Sequence, residues 1–307
     1  ATNRGFVATG VGRPDATKPV YSMTGSRDPF YYSINAHYGS SDHEVFNDWG
    51  VQVPGIIMIT WPDNYYHTSG DRPEICDPTQ LHRAIVIAAA SAYTIAGADE
   101  DMAVKIASEV ASNAEKRMSL KMRYDLAQLN GASAEEFNAL YKAAVFNQDA
   151  LLSNETATLA TVMELAPSSV LLDDYVKALQ AGLKAIRAAN GKNIDAAMKA
   201  KAATSGYAPV KVELSAEEKA ASKIYPHSTS KVKEYGYGVL RSIPSDLTAK
   251  YGVRLTYSAE VAKLASDGKN SVLDIKKMLD AQFPDSDSLD SVMKYIELLK
   301  EAGLLEY

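Results

Sequence analysis

One cysteine, Cys76, is all the thiol chemistry this chain carries. That count excludes a disulfide within the chain and a zinc site built on several cysteine sulfurs. A single Cys suits cytosolic and exported bacterial enzymes alike, so it leaves the compartment open. No run of about 18 apolar residues occurs, so no segment is fitted to span a bilayer as a helix. Excess positive charge is missing as well. With 32 Lys and Arg against 38 Asp and Glu, the net charge is -6 and the pI about 5.5, which argues against a phosphate-binding surface and a nucleic-acid partner. Neither of the glycine patterns that cradle phosphates, G-x-x-x-x-G-K-[ST] or G-x-G-x-x-G, is present, and TGVGRP at 9–14 reads as a plain turn. A G-x-S-x-G elbow for a serine nucleophile is also absent. The sequence starts at Ala1 without Met and without a basic and apolar leader, as expected of a processed, truncated or proteolysed product.

What is present is a globular mixture, 46% hydrophobic and 23% charged, long enough for two or three domains. Composition divides it at about residues 98 and 205. Residues 1–98 hold both Trp and four of the five His, and read as α/β. Gly55–Trp61 (GIIMITW) is an unbroken apolar run between Pro54 and Pro62, the pattern of a strand buried in a largely parallel sheet. Asp77 then N-caps a helix with Pro78 in its first position; Leu81, Ile85, Ala88 and Ala92 carry it to about Ala96.

Residues 99–205 read as a bundle of three or four helices. Ile106, Val110, Met118, Met122, Leu126 and Leu129 keep helical spacing up to a stop at Gly131. Ser133 and Glu136 form a capping-box pattern for the next helix, which carries Phe137, Leu140, Tyr141, Ala144 and Val145. Pro167 and Gly191 mark further ends. Residues 206–307 comprise an irregular linker and then three short helices, 258–265, 271–283 and 288–302, the last presenting Leu289, Val292, Ile296 and Leu299 on one face. Their order resembles a small winged-helix module. Lys294 and Lys300 are offset there by Glu297 and Glu301, so a packing or partner-docking role is expected rather than DNA binding.

The chemistry concentrates between Gly39 and Asp71. His67 follows the apolar run directly, and ligands of open α/β sheets gather at the carboxyl ends of strands. Imidazole is a common zinc ligand, and Asp71, four residues on, is placed to orient the ring through its second nitrogen. The series SSDHEVF, VPGIIMITWPDN, YHTSGD and DPTQL resembles the C-terminal part of the catalytic domain of zinc aminopeptidases and glutamate-carboxypeptidase-like hydrolases, over roughly residues 20–98. The resemblance implies a phosphorylase/hydrolase-like α/β sandwich, two zinc ions in the complete enzyme and a peptide substrate. It gives His67 the role of last protein ligand to the metal pair. Asp42 and His43, in the Ser-Asp-His turn, and Tyr66 become candidates for contacting substrate or supporting the metal ligands. In such enzymes a zinc-activated water, deprotonated by a glutamate, attacks the peptide carbonyl.

The same family takes its first ligand from His-x-Asp, a bridging carboxylate from a later Asp, and its base from Glu-Glu, all ahead of the Ser-Asp-His turn. None of the five histidines here begins His-x-Asp, and Asp15 and Asp28 are the only carboxylates before Ser41. Glu135-Glu136 and Glu217-Glu218 lie downstream. Two readings follow. The chain is a fragment of a secreted or periplasmic exopeptidase, inactive alone and completed by an N-terminal half that can be a separate polypeptide. Alternatively, it is a non-catalytic interaction protein with a metal-free peptidase-like segment.

Overall fold

The structure is a computed structural model that describes residues 32, 34, 41–283 and 285–307. The turn expected at 9–14, together with Asp15 and Asp28, lies outside the described residues. The chain divides into two compact units, Ala1–Glu44 with Gly55–Gly97, and Val45–Pro54 with Ala98–Tyr307.

A short helix, α1 (His43–Phe46), lies where the chain passes out of the first unit. Within that unit Gly55–Trp61 forms no strand: the backbone has no ladder partner among the described residues, and Ile56, Ile59 and Trp61 are 75, 59 and 65% exposed. The expected buried strand is thereby corrected. A strand needs neighbours to satisfy its N–H and C=O groups, and apolar side chains on both faces need cover that a lone segment cannot supply. A 3-10 turn at Pro73–Ile75 leads to α2 (Pro78–Ala96), which starts as expected: Asp77 Oδ1 accepts from the N–H groups of Thr79 and Gln80. Although α2 is mostly apolar, none of its residues is buried.

The second unit is built on three long helices, α3 (Glu100–Gly131), α4 (Phe137–Ala160) and α5 (Val170–Ser205), with a 3-10 segment Thr161–Leu165 before the last. Asp99 caps α3 by accepting from Met102 N–H, and Ser133 and Glu136 exchange hydrogen bonds at the turn into α4. The seam of α3 is made by Ala103, Ala107, Ala111, Ala114 and Met118, with Ile106 and Val110 packed beside it. Alanine holds the centre because small side chains let helices approach closely, and the larger residues fill the flanks. Phe137, Tyr141 and Ala144 of α4 close a second cluster with Leu129, Ile194 and Met198. Gly191 does not end a helix; it lies inside α5, where packing on two neighbours outweighs the ~1 kcal/mol that an interior Gly costs.

Beyond α5 the chain forms α6 (Ala216–Ala221), β1 (His227–Ser228), α7 (Ser230–Tyr235), a 3-10 segment Tyr237–Ser242, α8 (Ser245–Tyr251), α9 (Ser258–Leu264), α10 (Val272–Gln282), α11 (Leu289–Glu301) and β2 (Leu305–Glu306). The last three helices fall where their spacing predicts. Val292, Ile296 and Leu299 are buried in a core shared with Val261, Ile275 and Leu279. β2 pairs antiparallel with β1, and His227 also bridges Asp267, so one residue joins the turn after α9 to the chain end.

α10 is held at its start by Ser271, whose Oγ accepts from Asp274 N–H while Asp274 Oδ2 accepts from Ser271 N–H and Oγ–H. Ser271→Ala is expected to cost about 1–2 kcal/mol, read as a lower urea midpoint at unchanged slope. An unchanged midpoint would show that the cap adds nothing.

Candidate functional site

Residues 61–72 fold as a chain of tight turns written by their own side chains. Asp63 Oδ1 accepts from Tyr65 N–H, Thr68 Oγ1 donates to Tyr65 C=O and accepts from Gly70 N–H, and Arg72 Nε donates to Ser69 C=O. Asp, Ser and Thr close such turns because a short side chain can replace a backbone partner two or three residues away. Within this frame His67 has φ +57°, a left-handed conformation uncommon outside glycine. Its ring stacks on Tyr66 at 3.8 Å between centroids, and Tyr66 in turn meets Trp61 edge to face at 5.4 Å. Trp61, Tyr66 and His67 are exposed, so the stack presents an imidazole backed by two aromatic rings at the surface.

The residues singled out by sequence are distributed unevenly. His43, in α1, is buried at 7% exposure, and Asp42 beside it is exposed. Asp71 is exposed and gives its backbone N–H to Thr68 C=O; among the described residues no hydrogen bond joins its carboxylate to the His67 ring. Trp61 belongs to the aromatic group although its sequence position marked only the end of an apolar run. The aromatic density of WPDNYYH was the available signal. The left-handed backbone of His67 had almost none, since non-glycine residues rarely adopt it even though His is enriched among those that do.

Among the described residues no group of three or more His, Cys, Asp and Glu side chains is close enough together to hold a metal ion. A catalytic zinc takes three protein ligands, so the described residues alone do not fit one. No helix among them is long and apolar enough to cross a membrane. Cys76 is exposed, just ahead of α2.

The sequence comparisons bear on this same segment. No curated protein and no solved structure matches the chain. The model of Peptidase family M28 matches residues 14–92, about a quarter of the chain, and that segment, with the Ser-Asp-His turn, the Trp61–His67 stack and most of α2, is similar to a peptidase.

Proposed function

We propose that residues 1–98 are the C-terminal part of a zinc exopeptidase domain of the M28 kind, completed by a segment that carries the remaining ligands and the general base. The observation that carries this reading is a peptidase-like segment with an uncovered interior. The run 55–61 and α2 are mostly apolar, yet Ile56, Leu81 and Ile85 are more than half exposed. A run apolar on both faces suits the middle of a parallel sheet, and a mostly apolar helix such as α2 suits one packed against it. In the completed domain 55–61 would pair as a strand of an α/β sandwich, bringing the turn with His67 to the strand's carboxyl end. His67 would supply one imidazole nitrogen to the metal pair, and Asp71 would orient it. Tyr66 and His43 would face the substrate, a peptide. The C-terminal helices, in a winged-helix-like arrangement, would serve packing or docking.

The test is the set of intact masses in natively purified material, with its zinc content and its activity on aminoacyl and C-terminal glutamyl peptides. Expected are a polypeptide bearing His-x-Asp and Glu-Glu, about two zinc ions per assembly, and peptide hydrolysis. His67→Ala in that assembly should lower zinc content and activity by at least about tenfold. An assembly that includes His-x-Asp and Glu-Glu yet holds no zinc and hydrolyses neither class of peptide would reject the proposal in favour of a non-catalytic interaction protein.

A further inference from the structure

The three-helix bundle contains polar groups that its packing does not require. Gln148 of α4 donates to Met118 C=O of α3 at 3.3 Å and accepts from Asn190 of α5 at 2.9 Å, so one buried polar layer crosses all three helices. Arrangements of this kind fix register, and both bonding ends of the Gln148 amide are used. The residue next to Gln148 on α4 makes a second buried pair with a different balance. Asn147 Nδ2 of α4 donates to Asp125 Oδ1 of α3 at 2.9 Å, and both residues are 5% exposed. Asp125 Oδ2 and Asn147 Oδ1 are left buried without a hydrogen-bond partner. Both are acceptors when the carboxyl is ionised, and a buried orphan acceptor is costly. Turning the Asn147 amide over does not help, because its oxygen would then face a carboxylate oxygen.

A single proton repairs both defects. We infer that Asp125 is a buried proton-binding site, where a proton taken up on Oδ2 is donated to Asn147 Oδ1 and closes a two-bond carboxylic acid–carboxamide pair between α3 and α4. Uptake forms one O–H bond with a proton from solvent; release returns the proton and leaves both acceptors without a donor. The bundle seam is thereby coupled to pH.

Of the surrounding charges, one opposes proton uptake. Lys121, one turn back on α3, is the nearby cation, with Nζ 3.7 Å from Oδ1. Several charged groups elsewhere on the neighbouring helices have partners of their own. On α4 Lys142 pairs with Glu218 at 2.5 Å, and Asp149 pairs with Arg187 of α5 at 2.7 Å. Asp195 of α5 accepts from Tyr141 Oη, and Lys277 of α10 lies over the Phe146 ring at 4.3 Å. Burial pushes the Asp125 carboxyl up to about 6, against the opposing pull of Lys121 and of the Asn147 bond. Because the folded state holds the proton more tightly than the unfolded chain, this group's stabilisation is complete below about pH 4 and is lost as pH rises through about 6.

Asp125→Asn supplies the control, since the amide it introduces would donate permanently to Asn147 Oδ1. The thermal midpoint of the full chain is expected to fall, relative to Asp125→Asn, by about 5 °C between pH 4 and 7.5. Parallel curves for the two proteins would overturn the inference. Should Asp125→Asn fail to fold, 13C NMR of the wild-type carboxyls decides: a midpoint near 6 for Asp125 supports the site, and one at the ordinary carboxylate value of about 4 overturns it.

Discussion

Gly236→Ala is expected to release the turn at residues 45–54 from the C-terminal part of the second unit. Gly236 follows α7 with φ +69° and ψ -174°, a region that essentially only glycine occupies. It is also buried directly against a side chain from the far end of the sequence. A Cβ at this position would lie 2.2 Å from Asp48 Oδ1 and 2.6 Å from its Cγ, closer than any real contact. The Asp48 carboxylate cannot simply withdraw, because both of its oxygens accept from Tyr237 N–H, at 3.0 and 3.1 Å. Backbone strain of about 1–3 kcal/mol is therefore joined by loss of a charge-assisted hydrogen bond worth roughly 1.5–3 kcal/mol. Trp49, next to Asp48, lies under Lys233 Nζ at 5.9 Å and should move with the turn. Amide exchange at Tyr237 should accelerate at least about 100-fold, with a change in tryptophan emission. Asp48→Ala removes the bond without the strain and should show a smaller effect. Tyr237 exchange in Gly236→Ala as slow as in the wild type would refute this account of the contact.

The same contact shows where the sequence stops being informative. Asp48 and Gly236 are nearly two hundred residues apart, and nothing local to either announces the other. By contrast Asp77-Pro78 and Ser133–Glu136 were legible because a cap is a local event, settled by side chains within three residues of one another. The face of α11 and of the first turns of α4 was legible from period alone, whereas the later turns of α4 bury Asn147, Gln148 and Glu155. On α3 the period was right but the centre was not: Ala103, Ala107, Ala111 and Ala114 hold the seam, and Ile106 and Val110 flank it. Hydrophobicity marks a side of a helix, whereas closest approach is decided by size. Gly191 read as a stop because interior glycine is costly in isolation, and long-range packing overrode it. The strand at 55–61 failed for the converse reason. Its pattern specifies a strand only in company, and among the described residues it has no ladder partner. At the candidate site, residue type identified His67 as a possible ligand, while its stack on Tyr66 and its positive φ came from three-dimensional structure alone.

Arg117→Ala should produce a comparably large loss inside the bundle. Glu155 of α4 is 1% exposed, and its two oxygens receive Arg117 Nε and Nη2 of α3 at 2.6 Å each. The pairing is a fork of two parallel bonds, which only a guanidinium can make. The Arg117 side chain itself is half exposed, so its removal takes little from the core. What it leaves behind is a carboxylate buried without a counter-ion. That asymmetry makes the single substitution cost about 3 kcal/mol, seen as a lower urea midpoint by far-ultraviolet circular dichroism. Arg117→Lys should recover part of the loss, since an ammonium restores the charge without the fork. Replacing both residues, Arg117→Met with Glu155→Leu, should lie within about 1 kcal/mol of wild type, because an apolar pair of similar volume needs neither charge nor fork. If the double replacement lost as much as Arg117→Ala, the buried charge would not be the cause, and the cost would belong instead to packing of the arginine stem across α3 and α4.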